Sequence, residues 1–178
     1  LIGRIVTKDR KGGRDGGVVW HTTGSGKSFT MVFLSKALIL HEALKQCRIL
    51  VVTDRVDLED QLSKTFVSGG ELAGKKDKQN AMATSGKRLA EQIGKGTERI
   101  MFSLIQKFNS ATKLPECVNT SSDFIVLIDE GHRSQGGENH VRMKLALPNA
   151  AFVAFTGTPL LKDEKTVNKF GPIVHAYT

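Results

Sequence analysis

The sequence predicts an α/β domain of three layers, with helices on both faces of a mostly parallel central sheet. Three observations predict it. Strand-length runs such as Val18–Trp20, Asp123–Asp129 and Ala151–Phe155 are continuously apolar, as strands covered on both faces must be. Segments with apolar residues near helical spacing separate them, in the order of a parallel sheet. Polar loops gather after the strands, at His21–Ser28, Thr53–Arg55, Asp129–His132 and Thr156–Thr158. In an open parallel sheet, ligands bind at the carboxyl ends.

Leu1–Gly16 holds Arg4, Lys8, Arg10, Lys11 and Arg14 among glycines, without helical period, and reads as a basic lead-in loop. After the strand at Val18–Trp20, Lys27 to about Gln46 carries Phe29, Val32, Phe33, Ala37, Leu40 and Leu44, the pattern of a long, largely buried helix. Arg48–Asp54 is a second strand, and Arg55–Phe66 a helix through Val56, Leu58, Leu62 and Phe66. Residues 68–80, rich in Gly and Lys, read as an exposed insertion. A short strand at Ala81–Ala83, a helix at Ser85–Ile93 closed by Gly94-Lys-Gly96, and a strand at Arg99–Ser103 are expected next. Leu104–Phe108 reads as a helical turn, Asn109–Ser122 as a connection, Glu138–Leu147 as a helix, and Gly171–Thr178 as short β-like alternation.

The 178 residues are the size of one domain. Net charge +8 favours a polyanionic partner such as nucleic acid or nucleotide, although a basic solvated face gives the same number. Cys47 and Cys117 lack metal-ligand spacing, which predicts free thiols in a reducing compartment. No run of about 18 apolar residues occurs, so a membrane is not expected and the cytoplasm is.

Gly17–Ser28 reads as a strand, a glycine-rich turn and the start of a helix, the arrangement of a phosphate-binding loop. Gly24 and Gly26 permit the dihedrals that turn successive N–H groups, from Thr23, Gly24, Ser25 and Gly26 onward, toward phosphate oxygens. Lys27 supplies charge and Ser28 a hydroxyl for Mg²⁺. His21 occupies the first position of G-x-x-x-x-G-K-[ST], where glycine is usual. Asp129 and Glu130 close the clearest strand. Attack on a γ-phosphoryl group calls for one carboxylate near the metal and one beside the water, so Asp129 is assigned to Mg²⁺ and Glu130 to the water. The other reading of the pair is a helix cap. His132 reads as a coupling residue or a surface histidine, Thr156-Gly-Thr-Pro159 as a coupling loop or an ordinary turn, and Trp20 as core in preference to a ring that stacks on a base.

These segments resemble superfamily 2 DEAD/DEAH-box motors. Thr22–Ser28, Leu50–Arg55, Asp129–His132 and Thr156–Thr158 fall in the order of motifs I, Ia, II and III. With Val19-Trp-His21, Asp57-Leu58, Gln61-Leu62, Ile105-Gln-Lys-Phe108, Arg133-Ser-Gln135 and Phe155–Leu160, the sequence is similar to the motor (restriction) subunit of type I restriction-modification enzymes. The resemblance implies a RecA-like P-loop fold and use of ATP with Mg²⁺. It further implies translocation of double-stranded DNA, and work beside methylation and specificity subunits in a prokaryotic cytoplasm. By resemblance, His132, Thr156 and Thr158 couple hydrolysis to DNA movement, and Thr53, Arg55 and Gln106 lie near the DNA track. Gly131 stands where the family usually has alanine, and Ser103-Leu104 where it has Thr-Thr. The nuclease domain and the second RecA-like domain with its arginine finger have no counterpart, so the expectation is a first motor domain that hydrolyses ATP barely by itself. Alternatives are a DEAH-type helicase or remodelling-type motor on another nucleic acid, and a nucleotide-gated module that does not hydrolyse.

Overall fold

The computed structural model describes residues 1–22, 26–68, 75–129, 136–157 and 170–177; of residues 75, 78, 136, 137 and 177 only the backbone is described. Six strands, β1 (Gly17–His21), β2 (Arg48–Thr53), β3 (Ile100–Leu104), β4 (Phe124–Asp129), β5 (Ala151–Thr156) and β6 (Ile173–Tyr177), form one sheet in the order β3-β2-β4-β5-β1-β6. Every neighbouring pair is parallel, so all six carboxyl ends share one rim.

The helices are α1 (Ile2–Val6), α2 (Lys27–Leu40), α3 (Val56–Ser68), α4 (Lys75–Ala81), α5 (Gly86–Lys95), α6 (Phe108–Ala111) and α7 (Gly136–Ala146). Alternation along each strand divides the core in two. Ile49, Val51, Ile125, Leu127, Val153 and Phe155 face α2 and α3, meeting Met31, Leu38, Leu62 and Phe66. Leu50, Val52, Val126, Ile128, Phe152 and Ala154 face α5, α6 and α7, meeting Leu89, Ile93, Phe108 and Met143. The predicted α/β/α layering is the layering found. From β1 the chain moves outward to β2 and β3 with α2 and α3 on one face. It then returns through β4 to β5 with α6 and α7 on the other, as a constant crossover hand requires.

Three local expectations are corrected. The lead-in is not a plain loop: Ile5 anchors the short helix α1 in the core. Arg14, with its side chain only 4% exposed, donates to the carbonyls of Ile5, Val6 and Ser122 and pairs with Asp123 at 3.2 Å. An arginine fork can satisfy several carbonyls at once, which composition does not reveal. Second, α2 is not largely buried. Phe29, Phe33 and Leu40 are 61, 66 and 82% exposed, while Met31, Val32, Ser35 and Leu38 face the core. Third, a helix, α4, forms within the Gly/Lys-rich stretch. Met82 makes a single bridge to Phe102, where a short strand was expected, and it carries the chain around the β3 edge toward α5. Cys47 and Cys117 are free and buried, and burial pushes the Cys117 thiol up to about 11.

Phe66 is fully buried, edge-on to Phe102 with ring centroids 5.1 Å apart. Phe66→Ala is expected to cost about 3–5 kcal/mol in chemical denaturation. Phe33→Ser on the exposed face should change stability by no more than about 0.5 kcal/mol; equal losses would contradict the burial assigned to α2.

Candidate nucleotide-binding site

Beyond β1 the chain reaches Gly26, whose φ of 81° and ψ of 32° lie in the left-handed region. A Cβ placed there would meet nothing within 4 Å, so backbone conformation rather than crowding requires glycine. Gly26 caps α2 without a side chain, and the first turn of that 14-residue helix has no acidic residue. The positive end of its dipole therefore favours an anion. Lys27 and Ser28 are the first two residues of this turn.

Asp129 is the last residue of β4 and lies on the same face of the sheet as Ile125 and Leu127. Its side chain is 2% exposed, and Lys27 Nζ lies 2.7 Å from its Oδ1. β4 and β1 are not neighbours. β5 runs between them, with Phe155 opposite Asp129 and Thr156 opposite Trp20. The lysine therefore reaches across the end of β5, where Thr156 is buried. A cleft of about 330 Å³ opens over this point, lined in part by His21, Thr22, Gly26, Lys27, Ser28, Asp129 and Gly157.

Gly26, Lys27, Ser28, Asp129 and Thr156 are thus brought together. Thr23, Gly24, Ser25, Glu130, His132 and Thr158 lie outside the described residues. Thr53 is buried at the end of β2, and its hydroxyl accepts from Arg55 N–H at 3.5 Å. Exposed Arg55 is gripped by Asp57 through bonds of 3.1 and 2.5 Å, which hold the Asp57 carboxyl below its ordinary range. Gln106 donates to the carbonyl of Asp54 at 2.9 Å, joining the ends of β2 and β3.

Sequence reading gave no site role to Phe29 or to Leu58, Gln61 and Thr65 of α3, all of which line the cleft. The signal was present: positions 58, 61 and 65 recur on one helix face, while Leu62 and Phe66 occupy the core face. His21 is buried and also lines the cleft, so the unusual first position of the loop contributes an imidazole to its wall. Among the described residues no three His, Cys, Asp or Glu side chains cluster as a metal cage. One buried carboxylate beside one hydroxyl fits Mg²⁺, which takes few protein ligands and completes its shell with phosphates and water.

Comparison with known proteins gives the family and the fold. The family model described as SWI2/SNF2 ATPase matches residues 2–178. The chain belongs to the SWI2/SNF2 ATPase family. This ATPase domain is 40% identical to the type I restriction enzyme HindI endonuclease subunit of Haemophilus influenzae over 97% of its own length and 18% of that protein's. The chain therefore spans less than a fifth of that relative. Its fold matches the Pyrococcus furiosus Hef helicase domain with TM-score 0.67 at 16% identity, over 92% of this chain and 35% of that one. It also matches a nuclease-deletion mutant of the Type ISP restriction-modification enzyme LlaGI, in complex with a DNA substrate mimic. That TM-score is 0.60 at 16% identity, over 92% of this chain and 18% of that one. At such identities the structural likeness is one of fold. Among the described residues no helix is long and apolar enough to cross a membrane.

Gly26→Ala is expected to strain the ATPase loop by about 1–2 kcal/mol and weaken binding of a fluorescent ATP analogue roughly 5- to 30-fold. Gly12, also at positive φ (85°) but in the lead-in, provides the control. Gly12→Ala should carry similar strain and leave affinity unchanged; equal affinity losses in both would assign the effect to general destabilisation.

Proposed function

We propose that this chain is the ATP-binding first motor domain of a type I restriction enzyme's restriction subunit, using ATP hydrolysis to translocate double-stranded DNA. The observation that carries the reading is the 2.7 Å approach of Lys27 to Asp129 across β5, at the amino end of a helix capped by Gly26. With nucleotide present, Lys27 and the N–H groups of residues 23–28 hold the β- and γ-phosphates, and Ser28 and Asp129 hold Mg²⁺, which neutralises charge on the phosphates. Glu130 orients the attacking water. Thr156, buried at the end of β5 between Asp129 and β1, couples that chemistry to movement together with His132 and Thr158.

DNA runs along the same rim past Thr53, Arg55 and Gln106, with net charge +8 favouring its approach. A second RecA-like domain closes over the cleft and supplies the arginine that stabilises the transition state. Methylation and specificity subunits select the DNA, and the assembly works in a prokaryotic cytoplasm. The 40% identity to a restriction subunit supports this branch over a remodelling-type motor, and the Asp-Glu sequence supports hydrolysis over a binding-only module.

The test uses the protein at its natural full length. Glu130→Gln is expected to keep Mg-ATP binding while lowering DNA-stimulated hydrolysis about 10²- to 10⁴-fold. Lys27→Ala should lose binding and hydrolysis together. Hydrolysis by Glu130→Gln at the unsubstituted rate would overturn the assignment.

A further inference from the structure

Two charged side chains outside the nucleotide cleft lie beneath its rim. Glu59, near the start of α3, is 6% exposed, and its Oε1 has no hydrogen-bond partner among the described residues. That oxygen is 3.8 Å from Nζ of Lys107, which also donates to the carbonyl of Ala83. Burial raises the Glu59 carboxyl above its ordinary range, against the pull of Lys107. Such a pair is a poor source of stability, because desolvating two charges offsets their attraction and apolar residues of similar shape serve as well. In some proteins such a pair is kept because it specifies one arrangement of the elements it joins.

Its place in the fold says what arrangement is fixed. The amide of Glu59 bonds to the carbonyl of Arg55 one helical turn away, and Lys107 follows Gln106. At the surface the same two segments are already joined by Gln106 and the Asp54 carbonyl. The ion pair is thus a second, deeper tie between the ends of β2 and β3.

We propose that Glu59 and Lys107 are positioning residues that set exposed Arg55 and Gln106 at a fixed spacing, so that both engage one nucleic-acid backbone. The proposal deepens the functional reading above and rests on its placement of DNA along this rim. Neither side chain touches nucleotide or DNA. Their removal therefore alters how much DNA is needed for stimulation and leaves the chemistry at the phosphates as it was.

The experiment measures ATPase activity of the full-length protein against DNA concentration for Glu59→Gln, Lys107→Met, the double variant and Lys107→Arg. Basal hydrolysis and the KM for ATP should be unchanged, while half-maximal stimulation needs about tenfold more DNA in either single variant. The double variant should be no worse than the singles, and Lys107→Arg should restore most of the response. Unchanged DNA dependence in Glu59→Gln, or a loss matched by an equal fall in basal activity, overturns the proposal. Absence of any DNA response in the unsubstituted protein overturns the functional reading itself, and the proposal falls with it.

Discussion

The ion pair between Lys27 and Asp129 ties the sheet to its chemistry. A carboxylate buried at the end of a central strand is costly unless a positive group meets it. Here that group comes from the first residue of the helix after β1, two strands away. For the two to meet, β1 and β4 must be parallel, level at their carboxyl ends, and separated by one strand whose end leaves room above it. The order β3-β2-β4-β5-β1-β6 and the register of Asp129 with Phe155 and of Trp20 with Thr156 satisfy these conditions.

The same constraint gives α2 and α3 different tasks. α2 begins at its glycine cap, Gly26, and buries Met31, Val32 and Leu38, leaving Phe29 and Phe33 at the surface. α3 buries Leu62 and Phe66, lines the cleft with Leu58, Gln61 and Thr65, and begins beside Arg55. One helix thus touches the candidate cleft, the core and the rim where β2 and β3 end. Residues one turn apart on it serve different neighbours, which is how a rigid element connects sites without a loop between them.

Much of this was legible in the sequence. Uninterrupted apolar runs marked the buried strands, and of the residues singled out for the candidate site Gly26, Lys27, Ser28 and Asp129 line one cleft, while Glu130 lies outside the described residues. What stayed hidden depended on three-dimensional neighbours. Apolar residues near helical spacing placed Phe29, Phe33 and Leu40 in the core, yet the face of α2 that meets the sheet is the one with Met31, Val32 and Leu38. Arg14 read as part of a basic lead-in, although the carbonyls of Ile5 and Val6 and the sequence-distant carbonyl of Ser122 hold it buried. Nothing in the local sequence marks Glu59, whose burial depends on its neighbours in the fold, Lys107 of the turn at Ile105–Lys107 among them.

The most direct measurement is a double-mutant cycle on ATP affinity, with and without Mg²⁺, for Lys27→Met, Asp129→Asn and the pair. If the two side chains serve one metal–triphosphate site, Asp129→Asn removes the affinity gained from Mg²⁺, and Lys27→Met lowers affinity with or without the ion. The double variant then loses less than the two single losses combined. Strictly additive losses, or a full Mg²⁺ effect in Asp129→Asn, would contradict a shared site.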